Sequence, residues 1–200
     1  YNKSTGNINI TNNGDLSLVD YDSAGFSVKN DSSDPANNEI SIYASSPLTI
    51  NSDVISTGDI LLRADEDGGE DDDLTVQANV QSTGGGIITL QAGHDVILNS
   101  GDISTSGDVH LQANYDLNGS QSGSIYQNGG SIQADGVKVT SYGDINLNQS
   151  NNNFQTLAVS ASHSGDVEIR NNSDLQIGNV GGVNGIINAG NVDIQVTNGS

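Results

Sequence analysis

The sequence predicts an all-β fold in which short strands stack in parallel as the coils of a β-helix. Three observations predict it. Short runs alternate apolar with polar side chains, the period of a strand with one buried face. Ile88-Thr89-Leu90, Val96-Ile97-Leu98 and Val109-His110-Leu111 are examples. Pairs of runs recur at one offset: eight residues separate Ile8 from Leu16, Ile40 from Leu48, Ile88 from Val96, Val137 from Ile145 and Val167 from Leu175. Finally, only 33% of the 200 residues are hydrophobic and 4% aromatic, where nearly half apolar is usual for a conventional core. Few apolar residues, regularly placed, imply a thin core running the length of a stack rather than a disordered chain.

The unit is clearest from Gly84 to Leu111, where a Gly or Asp, often Gly-Asp, leads into each run. Glycine permits positive φ, and an Asp carboxylate can hydrogen-bond a turn backbone. Towards the N-terminus the runs are Ile8–Ile10, Leu16–Leu18, Gly25–Val28, Ile40–Ile42, Leu48–Ile50, Ile60–Leu62 and Leu74–Val76. Towards the C-terminus they are Val137–Val139, Ile145–Leu147, Leu157–Val159, Val167–Ile169, Leu175–Ile177 and Val192–Ile194. Each eight-residue pair reads as two strands around one corner, with a third, less regular strand completing the coil. A repeat of roughly 20 residues gives about nine coils, and a layer spacing of about 4.8 Å gives a rod on the order of 40 Å long. A sandwich would need Asn-Gly hairpins and longer strands. With 2 Pro in the chain, nearly every strand residue keeps the N–H that a ladder needs.

Four stretches interrupt the pattern: the polar 31–38, the acidic 64–73, the Gly/Ser/Asn/Gln-rich 114–130 and the low-complexity 149–153. In a stacked repeat such inserts leave from a corner without disturbing the stack. The whole of 1–200 therefore reads as one repeat array. It starts at Tyr1 without a leader sequence and is expected to be a segment of a longer exported protein.

The string of Gly-Asp-Ile-x-Leu units, with phrases such as Ile88-Thr89-Leu90-Gln91-Ala92-Gly93-His94-Asp95-Val96, resembles filamentous haemagglutinin-type repeats. These belong to large exported bacterial adhesins of the two-partner secretion class. The resemblance covers nearly the whole chain and implies a right-handed parallel β-helix shaft. The Asn-Pro motifs of that family's secretion domain do not occur here; Pro35 and Pro47 follow Asp34 and Ser46. No catalytic residue is carried over.

Composition excludes several functions. With 25 acidic against 5 basic residues the net charge is −20, which repels nucleic acids and anionic membranes. No apolar run approaches the roughly 18 residues of a membrane helix. With no Cys, disulfides and thiolate metal sites are impossible.

Candidate sites are few. Asp65, Asp67, Glu70, Asp71, Asp72 and Asp73, with Glu66, form an acidic Gly-containing run. It reads either as a Ca²⁺ site of hard oxygen ligands or as a solvated acidic loop; it lacks the EF-hand order. Asp15, Asp59, Asp108, Asp144 and Asp166, each after Gly, read as turn caps rather than stacked cation sites. His94, His110 and His163 are scattered, and their spacing gives no zinc motif; His110 should face outward. An enzymatic role is not expected. A lyase needs a cationic base, and the two arginines, Arg63 and Arg170, lie in no motif. Inverting hydrolysis needs two carboxylates roughly 6.5–9.5 Å apart, which Asp pairs meet by chance, and the aromatic platforms that hold sugars are scarce.

The expected function is a non-catalytic structural or adhesive shaft, secreted or at the bacterial cell surface. Its partners would be a host or cell-surface glycan or protein receptor, with no resident cofactor unless Ca²⁺. Two alternatives remain: a filament subunit stacking end to end, and a β-helix that binds or cleaves polysaccharide.

Overall fold

The computed structural model describes residues 1–65, 72–115, 122–163, 165–188 and 190–199. All regular structure among them is β, and nearly all of it pairs in parallel. The strands fall into three rows that the chain visits in turn.

The first row stacks Ile8–Asn12, Ile40–Ala44, Ile60–Ala64, Ile88–Ala92 and Val109–Gln112, then the second halves of Ile132–Ser141 and Asn153–Ala161. The second row stacks Leu16–Leu18, Leu48–Ile50, Leu74–Val76, Val96–Leu98, Ile125–Gln127, Ile145–Leu147, Val167–Asn171 and Val192–Val196. The third stacks Val28–Asn30, Val54–Ser56, Val80–Ser82 and Ile103–Ser104, then the first half of Ile132–Ser141.

Alternation does the sorting. In Ile40–Ala44 residues 40, 42 and 44 are buried while 41 and 43 are half-exposed. Each neighbouring strand repeats this in register, so Ile8, Ile40, Ile60, Ile88, Val109, Val137 and Leu157 form one column. Ile42, Leu62, Leu90, Leu111, Val139 and Val159 form the next. The columns merge into one continuous apolar cluster. Stacked β-branched and Leu side chains suit a pleated, buried face.

The layers differ from expectation in three ways. The second row holds eight strands among the described residues, because successive layers are unequal: Ile40 pairs with Ile60, but Ile8 pairs with Ile40. Inserts lengthen some layers well past twenty residues. The first four eight-residue offsets all mark the corner from the first row to the second, whereas Val167 lies in the second row and Leu175 precedes Gln176–Ile177, which pairs with the Asn153–Ala161 strand. And the interrupted stretch 114–130 contains the strand Ile125–Gln127.

The third row carries one inward apolar residue per strand followed, two positions on, by an inward polar one: Asn30, Ser56, Ser82. These satisfy the turns that connect rows. Ser56 Oγ donates to the Asn38 carbonyl at 2.6 Å, and Ser82 Oγ to that of Gly58 at 2.8 Å. Gln127 and Asn152 form a buried reciprocal amide pair at 2.8 and 2.9 Å. These buried polar groups are thus paired, as stability requires.

One element departs from parallel pairing. Between Gln176–Ile177 and Ile186–Ile187 the chain forms a small antiparallel hairpin, Asn179–Val180 with Val183–Asn184. Gly181 and Gly182 turn it with φ of 54° and 83°, which favours glycine. The hairpin folds over the outer face of the first row: Val180 is buried, and a Cβ on Gly181 would lie 2.8 Å from His110 Nε2.

Candidate functional site

The residues that lead into the second row stack into a column of side-chain caps. Asp73 Oδ1 accepts the Asp95 N–H at 2.9 Å, and Asp95 Oδ1 accepts that of Ser124 at 2.7 Å. Ser124 Oγ accepts from Asp144 at 3.0 Å, Asp144 Oδ1 from Asp166 at 2.9 Å and Asp166 Oδ1 from Asn191 at 2.8 Å. Each side chain caps the backbone one layer on rather than its own turn. The same device opens the other rows: Asp59 Oδ1 accepts the Ile87 N–H at 2.7 Å, and Asp53, Asn79 and Asp102 form a run in the third row. At Asp59, Asp102, Asp144 and Asp166 the Gly-Asp unit therefore has an inter-layer meaning.

Within this column one place differs. His94 Nδ1 lies 3.0 Å from Asp73 Oδ1 and 3.6 Å from Asp95 Oδ1. One ligand-type atom from each of Asp73, His94 and Asp95 falls within 4.8 Å of the other two. All three side chains are largely shielded, with 19–28% of their surface exposed. Burial raises the Asp95 carboxyl above the ordinary carboxylate range; the Ser124 N–H and His94 oppose this, and the Asp73 charge adds to it.

The six acidic residues expected to act together do not all share a place. Asp67, Glu70 and Asp71, with Glu66, lie outside the described residues. Asp65 accepts a hydrogen bond from Arg63 Nε and is absorbed in that ion pair. Asp72 is fully buried, its backbone carbonyl accepting the His94 N–H at 3.1 Å. Asp73 joins His94 and Asp95 instead. The two latter residues were not expected at a site: in sequence His94 is distant from Asp73, and stacking of consecutive layers brings them together. The one sequence signal is a deviation, since His94 stands at the position that Gly14, Gly123, Gly143, Gly165 and Gly190 hold in other layers.

A second feature lies on the outer face of the first row. A groove of about 330 Å³ runs over Ser41, Leu61 and Thr89, bordered by Glu39, Asp59 and His110. Beside it the Arg63 guanidinium sits 4.1 Å from the Tyr115 ring centroid and 5.4 Å from that of Tyr43. Arg63 Nη1 also donates to the Tyr115 hydroxyl at 2.9 Å. His110 faces outward as expected; burial and Lys138 lower its pKa, and Asp108 partly opposes them. His163 is elsewhere, stacked on Tyr142.

Compared with protein-family models, curated proteins and solved structures, the chain matches none.

Proposed function

We propose that the three rows wind as a right-handed parallel β-helix and that the chain is a non-catalytic shaft of an exported bacterial surface protein, akin to filamentous haemagglutinin-type adhesins. One observation carries this reading: the same Ile, Val and Leu positions stack in register through seven successive first-row strands. Parallel stacking with an unbroken apolar column makes each layer the template for the next, which suits a stiff spacer. The acidic exterior keeps such a rod soluble, and the 65–73 segment is where Ca²⁺ would be taken up.

Reporter fluorophores attached at the two ends test it. A shaft gives one narrow separation, on the order of 35 Å for eight layers at about 4.8 Å each. A broad distribution of distances would remove the reading.

A further reading has an observation of its own. Glycan binding is favoured by the first-row groove with its Tyr43, Arg63 and Tyr115 neighbours. Incubation with acidic polysaccharides should release no new reducing or unsaturated ends, and their appearance would make the protein an enzyme.

A further inference from the structure

We propose that Asp73, His94 and Asp95 form a binding site for a divalent first-row transition ion, with Zn²⁺ as its probe. This goes beyond the shaft reading and stands or falls without it.

The argument is geometric. Metal bonds of about 2.0–2.2 Å that subtend 90–110° place neighbouring ligand atoms about 2.9–3.6 Å apart. His94 Nδ1 stands 3.0 and 3.6 Å from one oxygen of each carboxylate, and one ligand atom from each of the three residues lies within 4.8 Å of the other two. The set comes from two consecutive layers, so the stacked backbone fixes its spacing: Leu74, just after Asp73, pairs with Val96, just after Asp95. Both carboxylates keep lone pairs for an ion while accepting their backbone N–H groups, since each ionised carboxylate has about four acceptor sites.

The place is set apart from the rest of the column. Gly14, Gly123, Gly143, Gly165 and Gly190 precede the capping residue in other layers. At Gly123, Gly143, Gly165 and Gly190 the stack is tight, so that a Cβ on Gly165 would fall 2.2 Å from the Gly143 carbonyl oxygen, whereas a Cβ on Gly14 would meet nothing within 4 Å. At the layers of Pro47, Asp73 and Asp95 this position instead carries Ser46, Asp72 and His94, and the His94 imidazole turns onto the caps. Asp144 and Asp166 are also consecutive carboxylate caps, but glycines precede them, so they lack the nitrogen.

The nitrogen decides the ion. Ca²⁺ takes oxygen ligands, whereas imidazole with carboxylates suits zinc and its neighbours. Three protein ligands leave a further position for water. The bound ion would clamp one layer to the next.

Equilibrium dialysis of the untagged chain against Zn²⁺ tests the proposal. One equivalent should bind, with a shift of the His94 ring resonances on saturation. His94→Ala should weaken binding at least about tenfold. Asp95→Asn keeps an acceptor for the Ser124 N–H and so preserves the layer, yet should weaken binding as well. His110→Gln and His163→Gln should bind as the parent does, and Ca²⁺ should not displace the Zn²⁺. The proposal is overturned if the parent chain binds no Zn²⁺. It is equally overturned if His94→Ala and Asp95→Asn, each shown folded by circular dichroism, bind as tightly as the parent, or if binding is lost with His110 or His163.

Discussion

Asp102 shows how one side chain holds two layers. Its Oδ1 accepts both the backbone N–H and the hydroxyl of Ser131, at 2.9 and 2.7 Å, and Ser131 is buried. Asp102→Ala leaves those donors without a partner and should cost about 1–2 kcal/mol. Asp102→Asn retains an acceptor and should cost less than half as much; urea unfolding of the pair distinguishes a cap from a mere charge. Inward, Leu90 is fully buried between Leu62 and Leu111. Leu90→Ala should cost about 2–5 kcal/mol, because neighbouring layers cannot collapse into the space. The inward residues were legible in the sequence because period-two alternation marks them directly. The role of the Gly-Asp pairs was only half legible. A carboxylate that caps its own turn and one that caps the next layer give the same local sequence, and only stacking separates them.

At the scale of elements, the first-row strands and the second-row strands other than Ile125–Gln127 were readable, and of the third row only the run ending at Val28 was. Val54–Ser56, Val80–Ser82 and Ile103–Ser104 offer one inward apolar residue each, too few to show a period. Their inward serines read as loop until their partners in the row-to-row turns are seen. The hairpin at 179–184 was equally hidden, being two short pairs around Gly181-Gly182. Its seat on His110 yields a pH dependence. The ring is shielded, its Nε2 has no hydrogen-bond partner, and Lys138 adds to the burial in lowering its pKa below 6.5, against Asp108. The hairpin residues 178–185 bring no charge of their own. A lowered folded-state pKa means that the unfolded chain binds the proton more readily. The stability is therefore fully present above about pH 6.5, falls as pH drops below that value, and is gone once pH is below the depressed folded pKa. Hydrogen exchange at 179–184, corrected for intrinsic rates, should show less protection at pH 5 than at pH 7.5. His110→Gln should remove the difference, and equal protection at both pH values in the parent would show that the hairpin does not sense His110.

Over the whole molecule, the stack makes stability a matter of neighbouring layers, and the net charge of −20 acts against it. Like charges confined to a narrow body repel, and salt screens them. The melting temperature should therefore rise as NaCl increases from low to physiological strength; a fall would place the dominant electrostatics in attractive pairs such as Arg63–Asp65 and Lys29–Asp31. The stacked all-β class was legible from composition and one recurring offset. The number of layers was not, because inserts of unequal length hide the true repeat. The meeting of His94 with Asp73 was not either, because it exists only once layers are superposed. The central claim is the parallel, in-register stacking of consecutive layers. A chain without cysteine allows a direct measurement. Thr49 and Thr75 stand opposite one another on half-exposed positions of adjacent second-row strands, and Ile97 is one layer further. With adjacent strands about 4.8 Å apart, the Thr49→Cys/Thr75→Cys double variant should form an intramolecular disulfide under mild oxidation, while Thr49→Cys/Ile97→Cys should stay reduced. Failure of the first pair to close, or closure of the second, would contradict the stacking.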